Sequence, residues 1–374
     1  MNIVDSTAAY ESWLRAQLEG DVVEDDIDDK HAKMAADPFQ FLRATYWRWA
    51  ETIFDVCPKL KDAPAVLAVG DLHIENFGTW RDSEGRLVWG VNDFDEAAKM
   101  PYALDLVRLA TSAVLAKVRG ISPAAICAHI AKGYREGIAD PAPYVLDRDH
   151  AWLRAIVVVS EDDRTHFWNK FAGKQQKPQH IRARYIKALK AARPDPGVRF
   201  EYAPRTAGTG SLGRPRFVGV GTWQGDLIVR EAKAIVRSGW TRVHERARRL
   251  RCEEIATGEY RCPDPWYCLH GAILVRRLSP NDFKIEVQPK KKKKGEDRRK
   301  AVRPAQLVNR RMLHAMGRDL GSVHRGASNG RKILNDLDRH KSGWLLADVT
   351  AMARATESEW REWRDAYRKH KHAG

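Results

Sequence analysis

The sequence predicts an α+β protein of two lobes, on three observations. Helical periodicity fills both ends of the chain, a compact strand, loop and hairpin follow residue 65, and short β-type segments crowd residues 196–288. With 374 residues and no internal repeat, each lobe can bury its own core. Residues 1–36 read as a helix-prone acidic segment in which "EGDVVEDDIDD" is a solvated connector. Residues 37–195 read as the larger part of a helical lobe, with Asp37 as N-cap before Pro38 and Ser122 before Pro123. Within it, Val66 to Val69 form a strand, and "FGTWR" and "RLVWGV" form a hairpin across "DSEG". Residues 196–288 read as a small antiparallel lobe: "RFEYA", "RFVGVGTW" and "LIVREAKAIV" as strands, one basic helix "TRVHERARRLRCEEIA", then "GAILVRRL" and "DFKIEV" as further strands. Residues 289–304, with the Lys290–Lys294 run, read as a basic linker, and residues 305–374 as helices completing the first lobe.

Composition limits the partners. A formal charge of +16 and a pI near 9.7 suit a polyanion, whether nucleic acid, a lipid surface or a phosphorylated ligand, and do not choose among them. The five cysteines are odd in number and lack C-x-x-C spacing, so they are expected as reduced, mostly buried thiols. No apolar run approaches the roughly 20 residues needed to span a bilayer, and the first residues lack a secretory pattern, so a soluble, cytoplasmic protein is expected. His314 and His324 read as packing or surface groups, and the tryptophans mainly as core residues.

The chemistry concentrates in "GDLHIEN" and "NDFDEA". Asp71 and Asn76 are five apart, and Asp93 and Asp95 follow the hairpin that folds the chain back toward Asp71. Phosphoryl transfer needs such a set: an aspartate to orient or receive the hydroxyl proton, and an asparagine plus aspartate to hold Mg²⁺ against phosphates. The Asp-x-x-x-x-Asn spacing equals that of a kinase catalytic loop. His73 lies inside the loop, as a shaping residue or a base. The competing reading is that these residues only cap turns. Downstream, "GTGSLG" places Gly208, Gly210, Ser211 and Gly213 between strands instead of before a helix, which argues against a dinucleotide fold and suits a loop over nucleotide phosphates. An ordinary glycine hairpin is the alternative. Lys233 or Arg230 on the third strand is the candidate phosphate ligand, and Glu245 its candidate partner in competition with Glu253 and Glu254. Solvated ion pairs would explain each of these residues singly.

Taken in order, "KMAADPFQFLRAT", "GDLHIENFG", "NDFDEA", "ALDLVRLATS", "GTGSLGRPRFV", "REAKAI" and "LGSVHRGA" resemble the bacterial domain of unknown function 2252, a kinase-like family. "GDLHIEN" with "NDFDEA" is also similar to the catalytic and metal segments of aminoglycoside and choline phosphotransferases, and Asp105 resembles the aspartate of the helix beneath that loop. The resemblance implies a two-lobed protein-kinase-like fold. It implies Asp71 as base, Asn76, Asp93 and Asp95 as Mg²⁺ ligands, and ATP under the glycine loop. In those kinases the glycine loop and lysine come first, whereas here Asp71 and Asp93 precede Gly208. A circular permutation explains the reversal, and "RMLHAMGRDLGSVHRGA" resembles the helix that normally leads into the catalytic loop. The expected activity is ATP- and Mg²⁺-dependent phosphotransfer to a small-molecule or protein acceptor. The alternatives are a non-catalytic nucleotide- or nucleic-acid-binding protein and a metal-dependent phosphoesterase, which needs more histidine ligands than are evident.

Overall fold

The computed structural model describes residues 1–171, 180–245, 247–287 and 307–373; the Lys290–Lys294 run and the linker 289–304 lie outside them. The chain opens with α1 (Ile3–Gln17), α2 (Glu24–Ala36), α3 (Pro38–Ala44) and α4 (Tyr46–Val56). Asp37 caps α3 as expected, accepting from the Phe39 and Gln40 amides with Pro38 in the first turn. Only residues 19–23 of the acidic stretch act as a connector. Glu24, Asp25 and Asp26 form the first turn of α2, where negative charge suits a helix N-terminus, and Asp26, Ile27, Lys30 and Met34 are buried.

Next come β1 (Ala65–Ala68), β2 (Phe77–Arg81), β3 (Leu87–Val91), β4 (Ala98–Pro101) and α5 (Tyr102–Leu115). β2 and β3 form the expected hairpin, while β1 pairs with β4. After α6 (Pro123–Ala139), the two-residue β5 (Tyr144–Val145) adds to β3; it is too short to leave a periodic signal. α7 (Ala151–Ile156), α8 (Glu161–Asn169) and α9 (Ala183–Ala191) follow.

The third sheet is antiparallel in the order β6-β7-β8-β10-β9, from β6 (Glu201–Pro204), β7 (Arg216–Trp223), β8 (Asp226–Ala234), β9 (Cys268–His270) and β10 (Ile273–Leu278). The basic stretch after β8 is not one helix. It makes two short ones, α10 (Gly239–His244) and α11 (Cys252–Ala256), with Glu245 as the extended C-cap of the first. "DFKIEV" joins no sheet as a strand; it hangs on β2 through the Gly78–Lys284 bridge and the Phe283 and Ile285 amides.

α12 (Arg310–Arg325), α13 (Gly330–Arg339) and α14 (Trp344–Ala373) end the chain. The main core lies where α5, buried along almost its whole length, meets α6 and α12. α6 and α12 cross backbone to backbone. A β-carbon on Gly133 or Gly137 would collide with the carbonyls of His314 or Arg318, and one on Gly317 or Gly321 with those of Ile130 or Tyr134. Cys57, Cys127 and Cys252 are buried free thiols, and among the described residues no helix is long and apolar enough to cross a membrane.

Candidate functional site

The loop after β1 is held from below by α5. Asp105 accepts hydrogen bonds from the Val69 amide at 2.7 Å and the Gly70 amide at 3.0 Å, and Ser112 Oγ accepts from the Ile74 amide at 3.0 Å. Between them, Arg108 donates to Asp71 Oδ1 at 2.5 Å and to the Leu42 carbonyl at 2.8 Å. These three residues are spaced by three and four, so they share one helix face. Gly70 turns the chain with φ +84°, in the region that favours glycine. Asp105 also meets His324 Nε2 at 3.1 Å, and His324 Nδ1 meets the Tyr134 hydroxyl at 2.9 Å. His324 is therefore a fully buried anchor tying α12 to the loop, not a surface group, whereas His314 pairs with Glu136 at 2.9 Å on a partly exposed face.

Asp71, Asn76 and Asp93 do come together. Asn76 Nδ2 donates to the Asp71 carbonyl at 3.2 Å and the Asp93 carbonyl at 3.0 Å, which leaves Asn76 Oδ1 buried without a hydrogen-bond partner. Burial raises the Asp71 carboxyl, with Arg108 opposing and Glu96 and Asp93 adding to the rise. Burial acts the same way on Asp93, but Lys233, Arg276, Lys284 and Arg216 outweigh it and hold that carboxyl well below the usual range. His73 turns onto its own loop, where Nδ1 accepts from the Glu75 amide at 3.1 Å, and burial depresses its pKa well below the ordinary imidazole value. A neutral ring so engaged shapes the loop. Glu75 braces it from outside, pairing with Arg43 at 2.6 Å and accepting from the Val287 amide at 2.8 Å.

Across from these residues stands β8. Lys233 Nζ lies 2.5 Å from Asp95 Oδ1 and 3.6 Å from Asp93 Oδ1, and Arg214 pairs with Glu96 at 2.6 Å. Asp95 therefore occupies the place expected of Glu245. The broken helix explains the difference: Glu245 ends α10, Glu253 accepts from the Leu269 amide, and Glu254 pairs with Arg249 and Arg251. Arg230 lies on the opposite sheet face, three residues from Lys233 in a period of two. There it donates to the Ala192 carbonyl and stacks over Trp266.

The glycine loop lies directly on Asp71. A β-carbon on Gly210 would sit 2.9 Å from Asp71 Oδ2 and 2.9 Å from the Arg43 carbonyl. Gly208 and Gly213 adopt φ +76° and +88°, and Ser211 Oγ accepts from Arg216. The loop is buttressed by α2 through Thr206 to Asp26 at 3.1 Å, the Val23 amide to the Gly213 carbonyl at 3.1 Å, and Lys30 to the Gly210 carbonyl at 3.4 Å.

A divalent cation suits the donor set. The unpartnered Asn76 oxygen and the Asp93 carboxylate are the candidate ligands. Among the described residues no three His, Cys, Asp or Glu side chains form a metal cage, and Mg²⁺ characteristically takes one or two carboxylates and completes its shell with water and phosphate oxygens. A separate cavity of about 480 Å³, lined by Arg48, Glu51, Thr52, Asp55 and Arg242 among others, shares no residue with this site.

Residues 22–183 match the family described as an uncharacterized protein conserved in bacteria, DUF2252. The DUF2252 match supports the family that the motifs suggested. It contains Asp71, Asn76, Asp93, Asp95 and Asp105 and stops before the glycine loop and Lys233. No curated protein and no solved structure matches the chain. Sequence reasoning missed Arg108, Ser112 and His324; polar residues at i, i+3 and i+7 in the apolar "LDLVRLATS" were the available signal for the first two.

Proposed function

We propose that this chain is an ATP- and Mg²⁺-dependent phosphotransferase-like protein built as a circularly permuted, two-lobed kinase-like fold. The observation that carries this reading is the convergence of Asp71, Asn76 and Asp93 with Lys233 and the Gly210 segment, although these groups are spread from residue 71 to residue 233. Bound Mg²⁺ would neutralise phosphate charge and orient the transferred group. Asn76 and Asp93 would hold it. Asp71, raised by burial and oriented by Arg108, is suited to receive or align the acceptor hydroxyl proton. Lys233 would bind phosphate oxygens, with Asp95 holding it in place as the third-strand lysine's carboxylate partner. The glycine loop rests on Asp71, so a ligand between them requires the loop to lift.

Calorimetry on the full chain tests this. ATP should bind more tightly with Mg²⁺, Asp93→Ala should remove the Mg²⁺ dependence, and Asp71→Asn should keep binding while lowering turnover by about 10²–10⁴-fold. Absence of ATP and ADP affinity in the presence of Mg²⁺ would overturn the reading.

A further inference from the structure

The sheet face that carries Lys233 is charged where it approaches Asp93. Cross-strand rungs set Arg216 beside Lys233 and Leu274, and Val218 beside Glu231 and Arg276. Glu231 is fully buried and pairs with three arginines: Arg205, Arg216 at 3.3 Å, and Arg276 at 2.7 Å. One carboxylate thus faces three guanidiniums, and the surplus is positive. Asp93 and Asp95 offset part of that charge at Arg216, and the remainder, partly open to solvent at Arg205 and Arg276, can meet an anion. The charges already strain against one another. Burial and the repulsion of Arg216 and Arg276 push the Arg205 guanidinium well below its ordinary pKa, and burial with Arg276 pushes Arg216 down to about 10.

Access and direction are both available. The Arg205 and Arg276 side chains are each 24 % exposed, Arg216 reaches Ser211 in the glycine loop, and Lys284 stands exposed near Asp93. A row of cations therefore runs from beneath the loop to the candidate metal ligands. The apolar part of the same face offers a base little room, because Ala203, Val218 and Val229 are buried under Phe171, with Phe167 and Trp168 packed against them. Nucleobase slots are predominantly apolar and aromatic, whereas guanidinium forks match phosphate oxygens.

We infer that Arg205, Arg216 and Arg276, fixed by Glu231, form an oligophosphate cradle, so that the site recognises its donor by the phosphate chain and not by the base. This inference rests on the phosphotransferase reading and narrows it to a donor class: nucleoside triphosphates of any base, with inorganic tripolyphosphate as the minimal ligand.

The test is titration of the full chain, with Mg²⁺, by tripolyphosphate, ATP and GTP. All three should bind within about tenfold of one another. Arg276→Ala should weaken each by a similar factor of about ten or more, the scale of losing a charge-assisted hydrogen bond. Arg205→Ala, on a residue reaching solvent, should do the same if Arg276→Ala fails to fold, as judged by its thermal melt. ATP binding a hundredfold tighter than GTP and tripolyphosphate would overturn the inference and leave the phosphotransferase reading standing. An equal affinity of wild type and both folded variants would also overturn it. Failure of all three ligands to bind would overturn both.

Discussion

At the scale of residues, Lys30 sits far from the solvent a lysine ordinarily keeps. It is 2 % exposed, lies over the rings of Tyr10 and Trp47, and donates to the Gly210 carbonyl. Burial, helped by Arg214, lowers its pKa to about 7 against the opposing pull of Glu11, Glu96 and Asp71. Below pH 7 the lysine is charged in folded and unfolded chains alike, and the folded state bears the cost of burying it. Between about pH 7 and 10 the unfolded chain holds the extra proton, so this cost is relieved as pH rises. Lys30→Met should therefore be more stable than wild type at pH 6 by a few kcal/mol, on the order expected for a shift of this size, and the advantage should shrink by pH 9.5. Urea denaturation at the two values decides it, and parallel pH curves would contradict the assignment. The same scale separates Lys233 from Arg230: a side-chain period of two sends them to opposite faces, and of the two Lys233 is the one beside Asp93 and Asp95.

At the scale of elements, α6 and α12 are held together by the absence of side chains. In an exposed helix interior, Gly→Ala stabilises by about 1 kcal/mol. At Gly317 the added carbon would strike the Ile130 carbonyl, which is rigid backbone. Gly317→Ala should instead destabilise by about 1–3 kcal/mol, read as a lower urea midpoint, and a stabilised variant would refute the close crossing. The crossing matters to the site because α12 carries His324 to Asp105 and Asp319 to the Val91 amide at 2.8 Å, one residue before the "NDFDEA" segment. α12 thus fixes both polar loops.

At the scale of the whole molecule, three separate segments meet at the candidate site, and ligand binding there should register in all of them. With ATP and Mg²⁺, hydrogen exchange should slow together in residues 70–76, 92–96 and 205–215, while α13 stays unchanged. Slowing confined to a single segment would mean that they do not act as one site. A ligand seated between the loop and Asp71 would have to lift residues 205–215 against the hydrogen bonds that tie them to the α2 region.

Sequence alone determined the α+β class, the hairpin, the strands flanking the glycine loop, the cap at Asp37 and the grouping of Asp71, Asn76 and Asp93. These follow from local rules: side-chain period, capping chemistry, and a hairpin that returns the chain to its start. Tertiary structure decided which charges meet. Asp95 takes Lys233 while Glu245 caps the short α10 instead of riding on one long helix, and α2 is drawn from an acidic stretch because Ile27 and Met34 have a core to enter. Glu231 gathers Arg205, Arg216 and Arg276 only once the strands are in register. Pairing of charges depends on distance through space, and neither composition nor periodicity records that distance.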